Sequence, residues 1–267
     1  KANPRQAARH RSTAAATFEA DAGRRALLAR AVQWQGSKRP GHSGGTGDFM
    51  AVKQERTCWH GPVGRIEVLI DRPQPARGGA VIAPPNPTLG GTAEHKVPAM
   101  VARRLVAEGW WVVRVNYRGV GASEGAHDDG VGEAEDLVAV ARRLADEAPR
   151  QPLVLIGFSF GAVAQIEARW QLLAAGLEVA GLVLLGTGAG AVAGSRTYAP
   201  GDVPPDTLVI HGEQDERVPL ERIMRWAETQ SLPVVVMPGA DHFFSRRLPT
   251  LAGLVAAHLA RLAQARG

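Results

Sequence analysis

Cysteine is almost absent from this chain of 267 residues, because Cys58 is the only one. A single thiol cannot form an intrachain disulfide, so the sequence excludes the disulfide-stabilised folds of small secreted proteins and is typical of a reducing compartment. No companion motif marks Cys58 as a nucleophile, and we interpret it as an unreactive thiol.

Long apolar runs are also missing. No segment approaches the roughly 18 consecutive apolar residues that a membrane-spanning helix needs. The N-terminus is basic, but its best apolar stretch, "ALLARAV", is interrupted by Arg30 and does not form the core of a secretory signal. We therefore expect a cytoplasmic protein with no membrane span.

Acidic residues are scarce only at the start of the chain. Residues 1–49 carry nine Lys or Arg and three Asp or Glu, a net charge of +6, whereas residues 50–267 carry 22 basic and 23 acidic groups, a net charge of −1. A nearly neutral body lacks the basic surface that a nucleic-acid partner requires. We predict a basic, non-core N-terminal arm (residues 1–49) and a folded domain in residues 50–267. A role for the arm as a tether to nucleic acid or an anionic membrane is the alternative.

Short apolar runs alternate with amphipathic segments after residue 50, which predicts an α/β fold with a doubly wound, mostly parallel sheet flanked by helices. An antiparallel N-terminal hairpin is compatible with the pattern. The predicted strands are residues 66–70, 80–83, 111–115, 153–156, 182–185, 208–210 and 234–237. The predicted helices are residues 97–108, 133–147, 162–174, 220–229 and 248–264.

Ser159 lies in the pentapeptide G-x-S-x-G directly after the predicted strand 153–156 and before a predicted helix. In this context the glycines at 157 and 161 permit a tight strand-to-helix turn that exposes a serine hydroxyl near a helix N-terminus. Ser159 is therefore the candidate nucleophile.

A serine hydroxyl needs a base, and the base needs an orienting acid. His242 follows the last predicted strand and is the candidate base, whereas His211 is better explained as a structural histidine. Asp215, in the loop after strand 208–210, is the candidate acid, with Glu213 as the fallback. Asp241 is interpreted as a loop cap.

If His242 is the base, activity should fall as the pH drops through about 6 to 7.

These residues, assembled in the order Ser159, Asp215, His242, resemble the triad of the α/β-hydrolase superfamily. The chain looks most like a small bacterial group of predicted hydrolases or esterases whose early loop reads H-P-H-P-x-x-G-G-T. The corresponding stretch here is "PPNPTLGGT", residues 84–92, in which Pro84 and Asn86 replace both histidines. Further similar segments are "VRVNYRGVGASEGAHDDGVGEAED", "GFSFG", "HGEQDERVP" and "GADHFF".

The resemblance implies an oxyanion hole made by two backbone N–H groups. One belongs to the residue after the nucleophile, which is Phe160. The other comes from the early loop, where the prolines cannot donate. We assign it to Asn86, whose side-chain amide is a further candidate donor.

The segment between the predicted strands ending at 185 and starting at 208 is too short for a sizeable cap domain. An open site is therefore expected, lined by Leu89, Tyr198 and Phe243, with Phe160 as a further contact. Such a site favours short-chain carboxylic esters hydrolysed through an acyl-enzyme.

Other functions remain open: an acyltransferase, lactonase or thioesterase with the same triad, or a hydrolase fold that only binds a ligand. The histidines and carboxylates show no metal-ligand spacing, so no metal and no cofactor are predicted. The oligomeric state is not determined by the sequence.

Overall fold

The computed structural model describes residues 53–192 and 196–265. The predictions for residues 1–49 therefore lie outside the described residues. The strands are β1 (Glu55–Gly61), β2 (Gly64–Asp71), β3 (Gly79–Ala83), β4 (Trp111–Val115), β5 (Leu153–Phe158), β6 (Gly181–Leu185), β7 (Gly190–Ala191), β8 (Thr197–Tyr198), β9 (Leu208–Gly212) and β10 (Val234–Met237). The α-helices are α1 (Lys96–Ala107), α2 (Val131–Glu147), α3 (Phe160–Ala174), α4 (Leu220–Glu228) and α5 (Leu248–Ala265).

Eight strands form one sheet in the order β1-β2-β4-β3-β5-β6-β9-β10. Strands β1 and β2 form an antiparallel hairpin, and β2 is antiparallel to β4. The remaining neighbours are parallel. The predicted doubly wound, mostly parallel sheet is confirmed. Strand β1 was not predicted, because its sequence ERTCWHG is largely polar and exposed.

The central strands are apolar on both faces because helices cover both sides of the sheet. Helices α1 and α5 bury Val101, Leu105, Leu251 and other apolar residues on one face. Helices α2, α3 and α4 pack on the other face, where Leu137 and Ile223 lie in the core.

Strands β3 and β5 are neighbours, although α1, β4 and α2 separate them in the chain. After β3 the chain forms β4, on the side of the sheet that ends at β1. It then crosses back to form β5 on the other side of β3, and the later strands continue toward β10. Such a switch point leaves a crevice beyond the carboxyl ends of the two strands. Ala83, the last residue of β3, pairs with Gly157 of β5, so the loops after both strands start side by side.

The segment between β6 and β9 contains only the short antiparallel pair β7 and β8 among its described residues, 186–192 and 196–207. The predicted absence of a sizeable cap domain is confirmed for this part of the chain. None of the helices in the described ranges is long and apolar enough to cross a membrane.

Candidate active site

Ser159 occupies a strained turn between β5 and α3. Its φ of 57° and ψ of −116° lie outside the regions that non-glycine residues favour. Its N–H donates to the carbonyl of Leu185 in the neighbouring strand at 2.8 Å. This hydrogen bond helps to keep the backbone of Ser159 in its unfavourable conformation. Ser159 follows the last residue of β5, so its hydroxyl lies beyond the end of the sheet.

The two glycines of the pentapeptide are explained by close backbone approaches. A Cβ on Gly157 would lie 2.3 Å from the carbonyl oxygen of Gly161. A Cβ on Gly161 would lie 2.4 Å from the carbonyl oxygen of Pro84 and 2.6 Å from that of Ala83. The start of α3 therefore packs directly against the loop after β3, and only glycine fits at both positions.

His242 and Asp215 lie beside Ser159, each on a loop that follows a different strand. The Nε2 atom of His242 is 3.0 Å from the Oγ of Ser159. The Nδ1 atom of the same ring is 2.7 Å from Oδ2 of Asp215. All three side chains are buried or nearly so. The structure thus brings together the three residues that the sequence proposed, at hydrogen-bonding distances.

The carboxylate of Asp215 is fixed by its own loop. Its Oδ1 accepts hydrogen bonds from the N–H groups of Arg217 at 2.9 Å and Val218 at 2.8 Å. These bonds leave Oδ2 directed at the His242 ring. A carboxylate held in this way selects the tautomer with the proton on Nδ1, which leaves Nε2 free to accept a proton from a hydroxyl.

The other carboxylates and the second histidine of this region have structural contacts. His211 is fully buried, and its Nε2 atom donates to the carbonyl of Val218 at 2.8 Å. Burial lowers the pKa of His211 from its ordinary value. Asp241 accepts from the N–H of Ser245 at 2.7 Å, and Glu213 accepts from that of Gly239 at 2.8 Å. These contacts agree with the interpretation of His211 and Asp241 as structural residues.

His95 lies close to the site, one aromatic ring away from His242. It is the N-cap of α1, where its Nδ1 accepts from the N–H of Val97 at 3.3 Å. Its ring stacks on Phe158 at 5.3 Å, and Phe158 in turn lies 5.3 Å from the ring of His242. Burial, and then the charges of Lys96 and His242, lower the pKa of His95 to about 4. His95 is therefore neutral near pH 7.

Asn86 lies in the loop after β3, as the oxyanion assignment requires. Its side-chain Oδ1 accepts from both the N–H and the Oγ1 of Thr88 at 2.8 Å. Its Nδ2 lies 3.5 Å from the hydroxyl of Tyr198. Asn86 is thus held between the short 3-10 helix Pro87–Leu89 and Tyr198.

The loop that contains Asn86 is anchored at its far end by β4. The carboxamide Oδ1 of Asn116 accepts from the N–H of Ala93 at 2.8 Å, and Nη1 of Arg114 donates to the carbonyl of Ala93 at 3.1 Å. Both side chains are buried. The sequence offered no signal for this anchor, because residues 93, 114 and 116 meet only after β4 has paired with β3.

Phe160 is the first residue of α3, where backbone N–H groups have no acceptor within the helix. Its ring is 2% exposed and packs between Tyr117 and Tyr198. The expectation that the Phe160 ring lines an open pocket therefore does not hold. Its N–H remains the donor of interest.

The three proposed pocket residues differ in exposure. Leu89 is 49% exposed, Tyr198 is buried, and Phe243 is partly buried against His242.

Cys58 is exposed on β1. Among the described residues, no group of three or more His, Cys, Asp or Glu is arranged to hold a metal ion.

Comparison with known proteins gives matches over most of the described chain. A family model described as serine aminopeptidase, S33, matches residues 89–201. A solved structure from Xanthomonas campestris, described as an α/β serine hydrolase without lid, is 36% identical with a TM-score of 0.69, and the match covers 78% of this chain and 94% of that one. An α/β serine hydrolase homologue from Coxiella burnetii is 37% identical with a TM-score of 0.66 and covers 77% of this chain and 97% of that one.

A curated relative, an uncharacterized protein of Rickettsia prowazekii (strain Madrid E), is 39% identical over 106 residues. The aligned segment spans 44% of that protein and 39% of this chain. Together with the fold and the near-complete structural matches, these findings show that the chain belongs to the α/β serine hydrolases of the α/β-hydrolase superfamily.

Proposed function

We propose that this protein hydrolyses small carboxylic esters through an acyl-enzyme on Ser159. One observation carries the proposal: the Oγ of Ser159 is 3.0 Å from Nε2 of His242, whose Nδ1 is 2.7 Å from Asp215. The other histidines and carboxylates described beside it, namely His95, His211, Glu213 and Asp241, have structural contacts. No alternative base within the described residues has this relation to Ser159.

In the first half-reaction, Ser159 Oγ attacks the ester carbonyl carbon while Nε2 of His242 takes the hydroxyl proton. The tetrahedral intermediate collapses, and the same proton passes to the departing alcohol. In the second half-reaction, His242 removes a proton from water, which attacks the acyl-enzyme, and returns it to Ser159. Asp215 orients the ring and stabilises its positive charge in both halves.

The negative oxygen of each intermediate needs donors that are already in place. The Phe160 N–H at the start of α3 and a donor of Asn86 are the candidates. The packing of Gly161 against the Pro84 carbonyl supports this pairing, because it brings the start of α3 and the loop after β3 into direct contact. The β4 anchor on Ala93 restrains the same loop.

The absence of a helical cap in the described residues between β6 and β9 supports short-chain substrates. An open crevice offers little enclosed apolar surface for a long acyl chain, and Leu89 is largely exposed to solvent.

The family model raises a second candidate, an aminopeptidase. Such an enzyme has to accept the ammonium group of a peptide N-terminus. Two cationic side chains, Lys96 and Arg217, lie on the ring of Phe243 next to His242, and the carboxylate of Asp241 offsets only part of the Lys96 charge. A like charge is disfavoured there, so we place the ester reaction first.

The experiment that tests the proposal is intact-mass analysis after treatment with a fluorophosphonate probe. We expect one adduct on the wild-type protein and none on Ser159→Ala. Ser231→Gly is the matched control, because Ser231 is exposed and its φ of 53° suits glycine. That variant should label like the wild type.

Wild-type protein that has not been treated with the probe is then assayed on 4-nitrophenyl esters and on amino-acid 4-nitroanilides. Turnover of esters well above that of the nitroanilides is the expected result. Labelling that persists in Ser159→Ala, or a clear preference for the nitroanilides, would contradict the proposal.

A further inference from the structure

Two cations lie on the ring of Phe243, the residue next to His242. The Nζ atom of Lys96 and the Cζ atom of Arg217 are each 5.0 Å from the centroid of this ring. The rings of Phe243 and His242 are 5.3 Å apart. Both charges therefore lie within about 10 Å of the His242 ring.

The two cations come from segments that are far apart in the sequence. Lys96 is the first residue of α1, immediately after the loop anchored by β4. Arg217 lies in the loop after β9, and its own N–H is bound to Asp215. The position of Arg217 is therefore tied to the carboxylate that orients His242. Neither residue was singled out by the sequence pattern.

The positive charges are only partly compensated. None of the ion pairs within 4.0 Å among the described residues includes Lys96 or Arg217. Asp241 is a carboxylate that interacts electrostatically with Lys96. Burial raises the pKa of Asp241, but hydrogen bonds from Ser245 and the charge of Lys96 lower it by more, so the net pKa is below its ordinary value. Asp241 is thus ionised and offsets part of the Lys96 charge.

An aromatic ring flanked by cations can bind two parts of one molecule. The free surface of Phe243 can contact a short hydrocarbon chain, while a guanidinium beside it can form a forked pair with a carboxylate. Because Arg217 is partly exposed, such a pair is screened by salt and contributes modestly.

We propose that the preferred substrates are esters that carry a carboxylate a few bonds from the scissile carbonyl, bound mainly by Arg217 and secondarily by Lys96. This inference rests on the proposed ester hydrolysis and names the substrate class of the same site. Arg217 and Lys96 act here as specificity-determining residues and take no part in proton transfer.

The test uses two matched pairs of esters. In the first pair the charge is on the acyl group: 4-nitrophenyl hemiadipate against 4-nitrophenyl hexanoate. In the second pair it is on the leaving group: 4-carboxyphenyl hexanoate against its methyl ester. The ratio of kcat/KM for the anionic and neutral members is measured for each pair at low and high salt.

We expect a ratio above one in one of the two pairs, which identifies the part of the ester that lies beside Phe243, and a decrease in that ratio as salt is added. Arg217→Gln should lower the ratio about fivefold, the upper range for an exposed ion pair, chiefly through KM. Lys96→Gln should lower it less, and Arg217→Lys should restore part of it. Arg103→Gln, which removes an equal charge from an exposed position of α1, should leave the ratio unchanged.

A ratio at or below one in both pairs, or one that is the same in Arg217→Gln as in the wild type, overturns this inference. If the neutral esters are still hydrolysed in that case, the proposed function stands. If no ester is hydrolysed and Ser159 takes no probe, the proposed function fails and this inference fails with it.

Discussion

Gly161 has no space for a side chain. The nearest atoms to its missing Cβ are backbone carbonyl atoms of Ala83 and Pro84, which cannot rotate away as a flexible side chain can. The residue therefore controls how closely α3 approaches the loop that carries Asn86. Gly253, in the middle of α5, is the opposite case, because nothing lies within 4 Å of its missing Cβ.

A methyl group at these two glycines should have opposite effects. Gly161→Ala is expected to lower kcat for esters by about a hundredfold, comparable to the loss of one oxyanion donor, and to destabilise the fold by about 1–3 kcal/mol. Gly253→Ala should stabilise it by about 0.5–1 kcal/mol, since alanine is the better helix former, without a change in kcat. Ester kinetics and thermal unfolding of both variants check this. Wild-type kcat in Gly161→Ala would rule out the close approach as a catalytic requirement.

At the scale of elements, α1 begins with a histidine cap that cannot easily take a proton. Burial is the largest cause that lowers the pKa of His95 to about 4, followed by Lys96 and His242. In the unfolded chain a histidine has a pKa of about 6.5. Between these values the unfolded state binds the proton and the folded state does not, so this residue makes the fold less stable as the pH falls from about 6.5 to about 4.

His95→Asn keeps a good N-cap residue and removes the titrating ring. At pH 7 the variant should be less stable than the wild type, because the stacking on Phe158 is lost. At pH 5 the difference in the free energy of unfolding should narrow. Denaturant unfolding at both pH values measures it, with His60→Asn on the exposed face of β1 as the control. A difference that does not depend on pH would contradict the lowered pKa of His95.

Element positions were predictable to within a few residues wherever the sequence had a strong pattern. Strands β4 and β10 were predicted with the bounds that the structure shows, and the five helices differ by at most two residues at either end. Strand β1 was missed because its stability comes from pairing with β2, and its own residues are polar. Pairing between strands is a non-local interaction that a local pattern does not record.

For the whole molecule, the charge is distributed unevenly along the chain. The described strands, helices and candidate site all lie between residues 53 and 265, and residues 50–267 are nearly neutral. The excess positive charge belongs to residues 1–49, which contain none of the proposed site residues.

Deletion of residues 1–49 is therefore predicted to leave both the melting temperature and ester turnover nearly unchanged. The measurement compares the full chain and the shortened chain by thermal unfolding and kcat/KM on one neutral ester. A drop of many degrees in the melting temperature, or a large loss of turnover, would show that the arm is part of the functional fold.

Local sequence patterns are enough to predict the alternation of strands and helices, the tight turn around Ser159, and the order of the three candidate triad residues. These features depend on local periodicity and on residue types at short spacing. The contact between Gly161 and the Pro84 carbonyl, the anchor of Arg114 and Asn116 on Ala93, and the meeting of Lys96 and Arg217 on Phe243 were decided only by the tertiary structure. Each of these joins segments that become neighbours through the strand order and register, which the sheet as a whole selects.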